Sequence, residues 1–160
     1  MQSDTFLDYS LGPTRTLFHF TYPDRVDDIV AEGLYVTDIP TSPTRDQGYR
    51  GVWLTEDPNP MAQNWASGSP PGLSSKTGAR ITVDIPHHAI PGMLYRWLAL
   101  AKAVGVEDYW LEALNQTGGG NHESWYVYIS GNVPADSGQQ PGIPAEWISF
   151  WEILSADSFF

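Results

Sequence analysis

An α+β domain is the class predicted by three features of this 160-residue chain. Short β-branched and aromatic runs, among them TRTLFHFT, GVWLT, ARITVDI and ESWYVYI, are separated by stretches with helical patterning. The runs are irregularly spaced and no GxGxxG turn follows one, which argues against a doubly wound parallel sheet. The composition is 41% hydrophobic and 13% aromatic, with seven tryptophans, enough for a real core in a single domain spanning residues 1–160.

Taken in order, Thr14 to Thr21 reads as a first strand. Pro23 and Asp24 open a helix. Asp24, Asp27 and Asp28 favour its N-terminal end, Val26, Ile29 and Val30 supply its apolar stripe, and Gly33 fits its stop. Leu34 to Val36 begin a return, and TDIPTSPTRDQGYR is loop-like. GVWLT is a second strand, and DPNPMAQNWA a turn and short helix with proline near its first positions. SGSPPGLSSKTG has loop chemistry, and ARITVDI alternates as a half-buried strand ended by Pro86. Met93 to Val104 predicts an apolar helix, and Glu107 to Leu114 another beyond Gly105. NQTGGGNH is a glycine-rich loop, ESWYVYI a strand, NVPADSGQQPGIP a loop and AEWISFWEIL a final strand.

Bulk properties narrow the chemistry. A net charge of −11 and a pI near 4.4 disfavour a nucleic-acid partner, because the summed field repels a phosphate backbone. With no cysteine, disulfides, zinc–thiolate sites and thiol nucleophiles are excluded. The start, MQSDTFLDYS, has no basic or apolar signal segment. MLYRWLALAKAVGV is broken by Arg96 and Lys102 and is too short to span a bilayer. A soluble chain is expected, cytoplasmic or delivered as an effector. His87 and His88 are adjacent on extended backbone, poor geometry for one metal, and no HExxH occurs, so no metal site is expected.

Three places remain where chemistry can gather. His19 lies between Phe18 and Phe20, and period-two alternation puts Thr21 and Arg15 on its face of the strand. Arg15 is a candidate phosphate contact or a solvated strand-end charge. Trp53 on a strand and Trp65 on the following helix can bring two rings together with a slot for a flat ligand, or both can be core aromatics. Glu123 stands where a flexible loop meets an apolar strand. A carboxylate there can act on a hydroxyl or stabilise a cation, or it can be a solvated loop acid.

The order HFT, GVWLTEDPNPMAQNW and ESWYVY resembles the ADP-ribosyltransferase superfamily, in the His-Tyr-Glu branch shared by diphtheria-type toxins and poly(ADP-ribose) polymerases. The resemblance covers most of the chain but rests on these short motifs. It implies a split antiparallel β-sheet core with flanking helices, NAD as substrate, and transfer of ADP-ribose to a protein or other macromolecular acceptor with release of nicotinamide. It also implies roles. His19 would bond the adenosine ribose, and Thr21 would support the nicotinamide-side ribose or neighbouring strands. The Phe20 backbone would meet the nicotinamide amide, Trp53 and Trp65 would flank the ring, and Glu123 would be catalytic. Asn121 and His122 would lie in the loop that contacts the target.

Departures qualify the likeness. Tryptophan replaces both expected tyrosines, and Phe20 replaces a glycine that normally lets backbone approach the ligand. Met61 and Ala62 stand where a serine is usual, and Asn121 stands where arginine-modifying members carry Glu or Gln. The alternatives are therefore a non-catalytic domain of this fold that binds a nucleotide or partner protein, and an NAD glycohydrolase. A lesser likeness is to RNA 2′-phosphotransferases, through EGL at Glu32 to Leu34, but those enzymes depend on several arginines and this chain has few.

Overall fold

The computed structural model describes residues 14–39, 41, 50–59, 78–90, 93–117, 121–129 and 141–154. In chain order its elements are β1 (Thr14–Thr21), α1 (Val26–Glu32), β2 (Leu34–Tyr35), β3 (Thr37–Asp38), β4 (Arg50–Thr55), β5 (Ala79–Pro86), β6 (Leu94–Arg96), α2 (Trp97–Val104), α3 (Asp108–Thr117), β7 (Trp125–Tyr128), β8 (Pro141–Ile143) and β9 (Ile148–Ile153). The mixed α+β class is as the sequence predicts, and every registered strand pair is antiparallel. The main sheet runs β6–β7–β4–β1–β5–β9, with β3 beside β4, and β2 pairs separately with β8.

The sheet carries a core on each face. Alternation in β5 turns Ala79, Ile81, Val83 and Ile85 to one side, where Leu17, Leu54 and Tyr126 join them under Val26 and Ile29 of α1. The other face of β4 and β7 presents Trp53, Trp125 and Val127 to Trp97, Leu100 and Ala101 of α2, with Leu111 and Leu114 of α3 alongside. Trp97, Ile81 and Leu17 are completely buried. Each side chain of this kind stabilises the fold by about 1.5–3 kcal/mol relative to leaving it in water.

Local chemistry sets the element ends. Pro23 begins a 3-10 turn that leads into α1, and Asp27 and Asp28 face the positive end of the helix dipole. Gly33 stops the helix at φ 95°, its N–H bonded to the Ile29 carbonyl at 2.8 Å. A Cβ there would collide with the Ile143 carbonyl, so the glycine also lets β8 approach. Helix α2 ends at Gly105 in the left-handed region, φ 79°.

Several boundaries differ from the sequence reading. The helix expected from Met93 begins only at Trp97, because Leu94 to Arg96 pair with Tyr128 to Tyr126 as an edge strand and bury Leu94. Ladder bonds and burial override helical propensity there. Glu123 and Ser124 belong to a 3-10 turn, His122–Ser124, and β7 starts at Trp125. Two loop-like stretches contribute short strands, β3 and β8, and the final strand is preceded by a 3-10 turn at Ala145–Trp147. The short helix predicted through Trp65 lies outside the described residues.

Candidate functional site

Strand β1 is flanked unequally. Against β5 it pairs along its whole length, from Thr14 opposite Pro86 to Thr21 opposite Ala79. Against β4 the only registered pair is Phe18 opposite Thr55. Beyond Phe18 no further pair with β4 is registered. A cavity of about 470 Å³ occupies the gap. Its walls are aromatic at Phe18, Phe20, Tyr22, Trp53 and Trp125, and Thr21, Thr37 and Thr55 bring hydroxyls to it. Because it passes between strands, it is lined both by His19, which shares a face with Leu17, and by Trp53, which belongs to the opposite core.

His19 is fixed by the strand it faces. Its Nδ1 lies 2.9 Å from the Trp53 carbonyl oxygen. A carbonyl only accepts, so Nδ1 carries the proton of that bond. Burial lowers the imidazole pKa below its ordinary value; the Trp53 carbonyl opposes this and the Arg25 charge adds to it. At neutral pH the ring is therefore uncharged, and Nε2 is left as an acceptor suited to a hydroxyl donor.

Trp53 is a wall residue and a core residue at once. Its ring meets Trp97 edge-on at 5.0 Å and 62°, and Trp125 at 5.8 Å and 81°. Its aromatic neighbours here are thus Trp97 and Trp125, while Trp65, the predicted partner, lies outside the described residues. Phe20 and Thr21 both line the cavity.

Arg15 does not reach the cavity. Its guanidinium donates to Glu56 Oε1 at 2.9 Å and to the Tyr126 hydroxyl at 2.8 Å, and it stacks on the Tyr126 ring at 5.3 Å. Tyr126 in turn donates to Glu56 at 2.6 Å, and its pKa is raised to about 12, by burial first and then by the Glu56 bond. The charge expected to meet phosphate is already matched by a carboxylate, and the same-face placement with His19 was not enough to bring it to the gap. Among the described residues the cation on the wall is Arg25, from the 3-10 turn before α1.

Glu123 is exposed on its turn and lines no part of the cavity, and among the described residues no carboxylate does. The turn that carries it is nevertheless tied to the cavity wall. Thr55 Oγ1 lies 3.1 Å from Ser124 Oγ, Ser124 Oγ donates to the Asn121 carbonyl at 2.8 Å, and Glu56 N–H donates to the Ser124 carbonyl at 3.0 Å. Asn121 Nδ2 donates to Asp57 Oδ2 at 3.1 Å, so its amide is engaged within the protein. The His122 N–H donates to Asn115 Oδ1 at 3.1 Å, and its ring stands edge-on to Trp125 at 6.0 Å. Neither Asn121 nor His122 lines the cavity; His122 adjoins it through Trp125, and Asn121 through Ser124 and Thr55.

Sequence reasoning missed Arg25, Trp125 and the buried Thr55–Ser124 pair. Arg25 had a usable signal, as the one arginine between the first strand and the helix stop. The hydroxyl pair had none, since its partners are 69 positions apart. The chain matches no family model, no curated protein and no solved structure.

Proposed function

We propose that this protein is a mono-ADP-ribosyltransferase that uses NAD as substrate and passes ADP-ribose to a macromolecular acceptor, releasing nicotinamide. The observation that carries the reading is the cavity at the parting of β1 and β4, walled by aromatic rings and by a neutral His19 with a free acceptor nitrogen. Flat rings suit a nicotinamide or adenine, and the imidazole acceptor suits a ribose hydroxyl, so the residues present fit a nucleotide.

The reaction breaks the bond between nicotinamide and the ribose carbon. Positive charge develops on the ribose as in glycoside hydrolysis, and catalysis requires groups that stabilise this charge better than they stabilise NAD. The electron pair of the broken bond leaves with nicotinamide. An acceptor nucleophile then forms the new bond and gives up a proton. In this reading the aromatic wall holds the leaving ring, His19 orients a ribose, and Glu123 takes the carboxylate role from the rim. The Thr55–Ser124 and Asp57–Asn121 bonds hold its turn in place.

A second reading, a nucleotide-binding domain without transfer, is favoured by Glu123 standing outside the wall. Incubating the protein with NAD labelled in the adenylate and with cell lysate separates the two. Label on a macromolecule that disappears in Glu123→Gln supports transfer. Free ADP-ribose points to hydrolysis, and bound but unconsumed NAD to the second reading.

A further inference from the structure

We infer that the cleft takes a ligand whose two halves are joined by a diphosphate, and that Arg25 is the residue that binds this diphosphate. The inference rests on the NAD reading above and specifies where its charge is met.

A second chamber of about 420 Å³ lies between the end of β1 and α1. It shares His19, Thr21 and Arg25 with the first, so these residues stand where the two meet. The chambers differ in chemistry. The first is mainly aromatic, whereas the second is walled by Asp28, Glu32 and Tyr35, with Tyr35 donating to Glu32. At the junction stands an exposed guanidinium with no ion pair among the described residues.

The other arginines nearby are occupied. Arg15 is held by Glu56. Arg80 donates to Glu152 and to the Pro58 carbonyl, and Arg96 stacks on the Tyr126 ring at 5.2 Å. In a chain of net charge −11 the summed field disfavours anions, so binding one calls for a local cation such as Arg25. Arg25 offers planar, forked donors suited to phosphate oxygens. Its charge also presses on the His19 ring, which helps keep that imidazole neutral and accepting.

The acids of the second chamber make a further demand. Asp28 and Glu32 repel any additional phosphate there, while their oxygens accept from hydroxyl or amino groups. The half lodged there is therefore an uncharged nucleoside. NAD meets this requirement, and a dinucleotide with an extra 2′-phosphate does not.

Calorimetry on the full chain tests this with NAD, ADP-ribose, NADP and nicotinamide as probes, on wild type, Arg25→Ala and Arg25→Lys. Expected is a loss of roughly ten- to hundredfold in affinity for NAD and ADP-ribose in Arg25→Ala, the scale of a charge-assisted bond. Arg25→Lys loses less, nicotinamide binding is unchanged, and NADP binds wild type at least about tenfold more weakly than NAD. Wild-type NAD affinity in Arg25→Ala, an equal loss for nicotinamide, or equal affinity for NADP and NAD overturns the inference. If wild type transfers no ADP-ribose yet binds it through Arg25, the transferase reading falls and this one stands. If transfer proceeds and Arg25→Ala leaves it untouched, the reverse holds.

Discussion

The two flanks of β1 make an instructive contrast. On one side the strand is paired with β5 from end to end, and Leu17 lies over the completely buried Ile81, Val83 and Ile85. On the other side Phe18 opposite Thr55 is the only registered pair with β4, and a cavity opens where pairing stops. The same eight residues thus build the core with one edge and a cavity wall with the other. An unpaired stretch of strand is costly unless something meets its polar groups. Here the His19 ring spans part of the gap, replacing a ladder bond with a side-chain bond to the Trp53 carbonyl. The difference teaches that this sheet opens a cavity where its regularity ends.

The contrast can be broken by experiment. The largest effect expected is on catalysis. Glu123→Gln should lower the rate of ADP-ribose transfer by roughly two to three orders of magnitude with an unchanged unfolding midpoint, since the side chain is exposed. Full activity in that variant would remove the cleft rim from the chemistry. Next comes the paired flank. Ile81→Ala, opposite His19 but fully buried, should cost about 2–5 kcal/mol of stability by urea unfolding. A smaller loss than for an open-flank variant such as Phe20→Ala would erase the distinction. Gly33→Ala should destabilise by roughly 1–3 kcal/mol, because its φ of 95° and the nearby Ile143 carbonyl both exclude a side chain.

A pH series gives a subtler test. The folded-state pKa of His19 lies below its ordinary 6.5, so the native protein binds fewer protons there than the unfolded chain. The stability contribution is fully present above pH 6.5 and is lost as pH falls from there through the folded pKa. NAD affinity should stay level through neutrality and weaken in the same acid window as Nε2 is protonated. His19→Gln should flatten both profiles, and profiles identical to wild type would contradict the assigned state of the ring. The smallest effect belongs to Arg15→Ala, which removes a half-exposed ion pair and should cost about 1 kcal/mol or less in thermal or chemical unfolding while leaving NAD affinity unchanged.

How legible was this in the sequence? The strands whose patterns are set by burial were readable. TRTLFHFT was readable from its β-branched and aromatic residues, ARITVDI alternates because one face meets a core, and Gly33 marked its helix stop because few residues adopt its backbone angles. Leu94 to Arg96 misled because an apolar run looks alike in a buried strand and a buried helix, and only pairing with β7 decides between them. The site was partly legible. His19, Phe20, Thr21 and Trp53 do line one cavity. Arg15 was left open as a phosphate contact or a solvated strand-end charge, because alternation fixes a face but not a partner, and its partners Glu56 and Tyr126 come from elsewhere in the chain. Glu123 was located at the start of a strand, but a 3-10 turn intervenes and turns it outward. Trp125, two positions on, is the residue that reaches the wall.

The edge-to-face contacts of Trp53 with Trp97 and Trp125 have an optical consequence. Indoles held at 5.0 and 5.8 Å in fixed, steeply inclined orientations couple their electronic transitions. The coupled set gives the folded chain a near-ultraviolet circular dichroism signature with two members, Trp53 and Trp125, on the cavity wall. A ligand stacking on either would perturb the whole set, so occupancy can be read without any label.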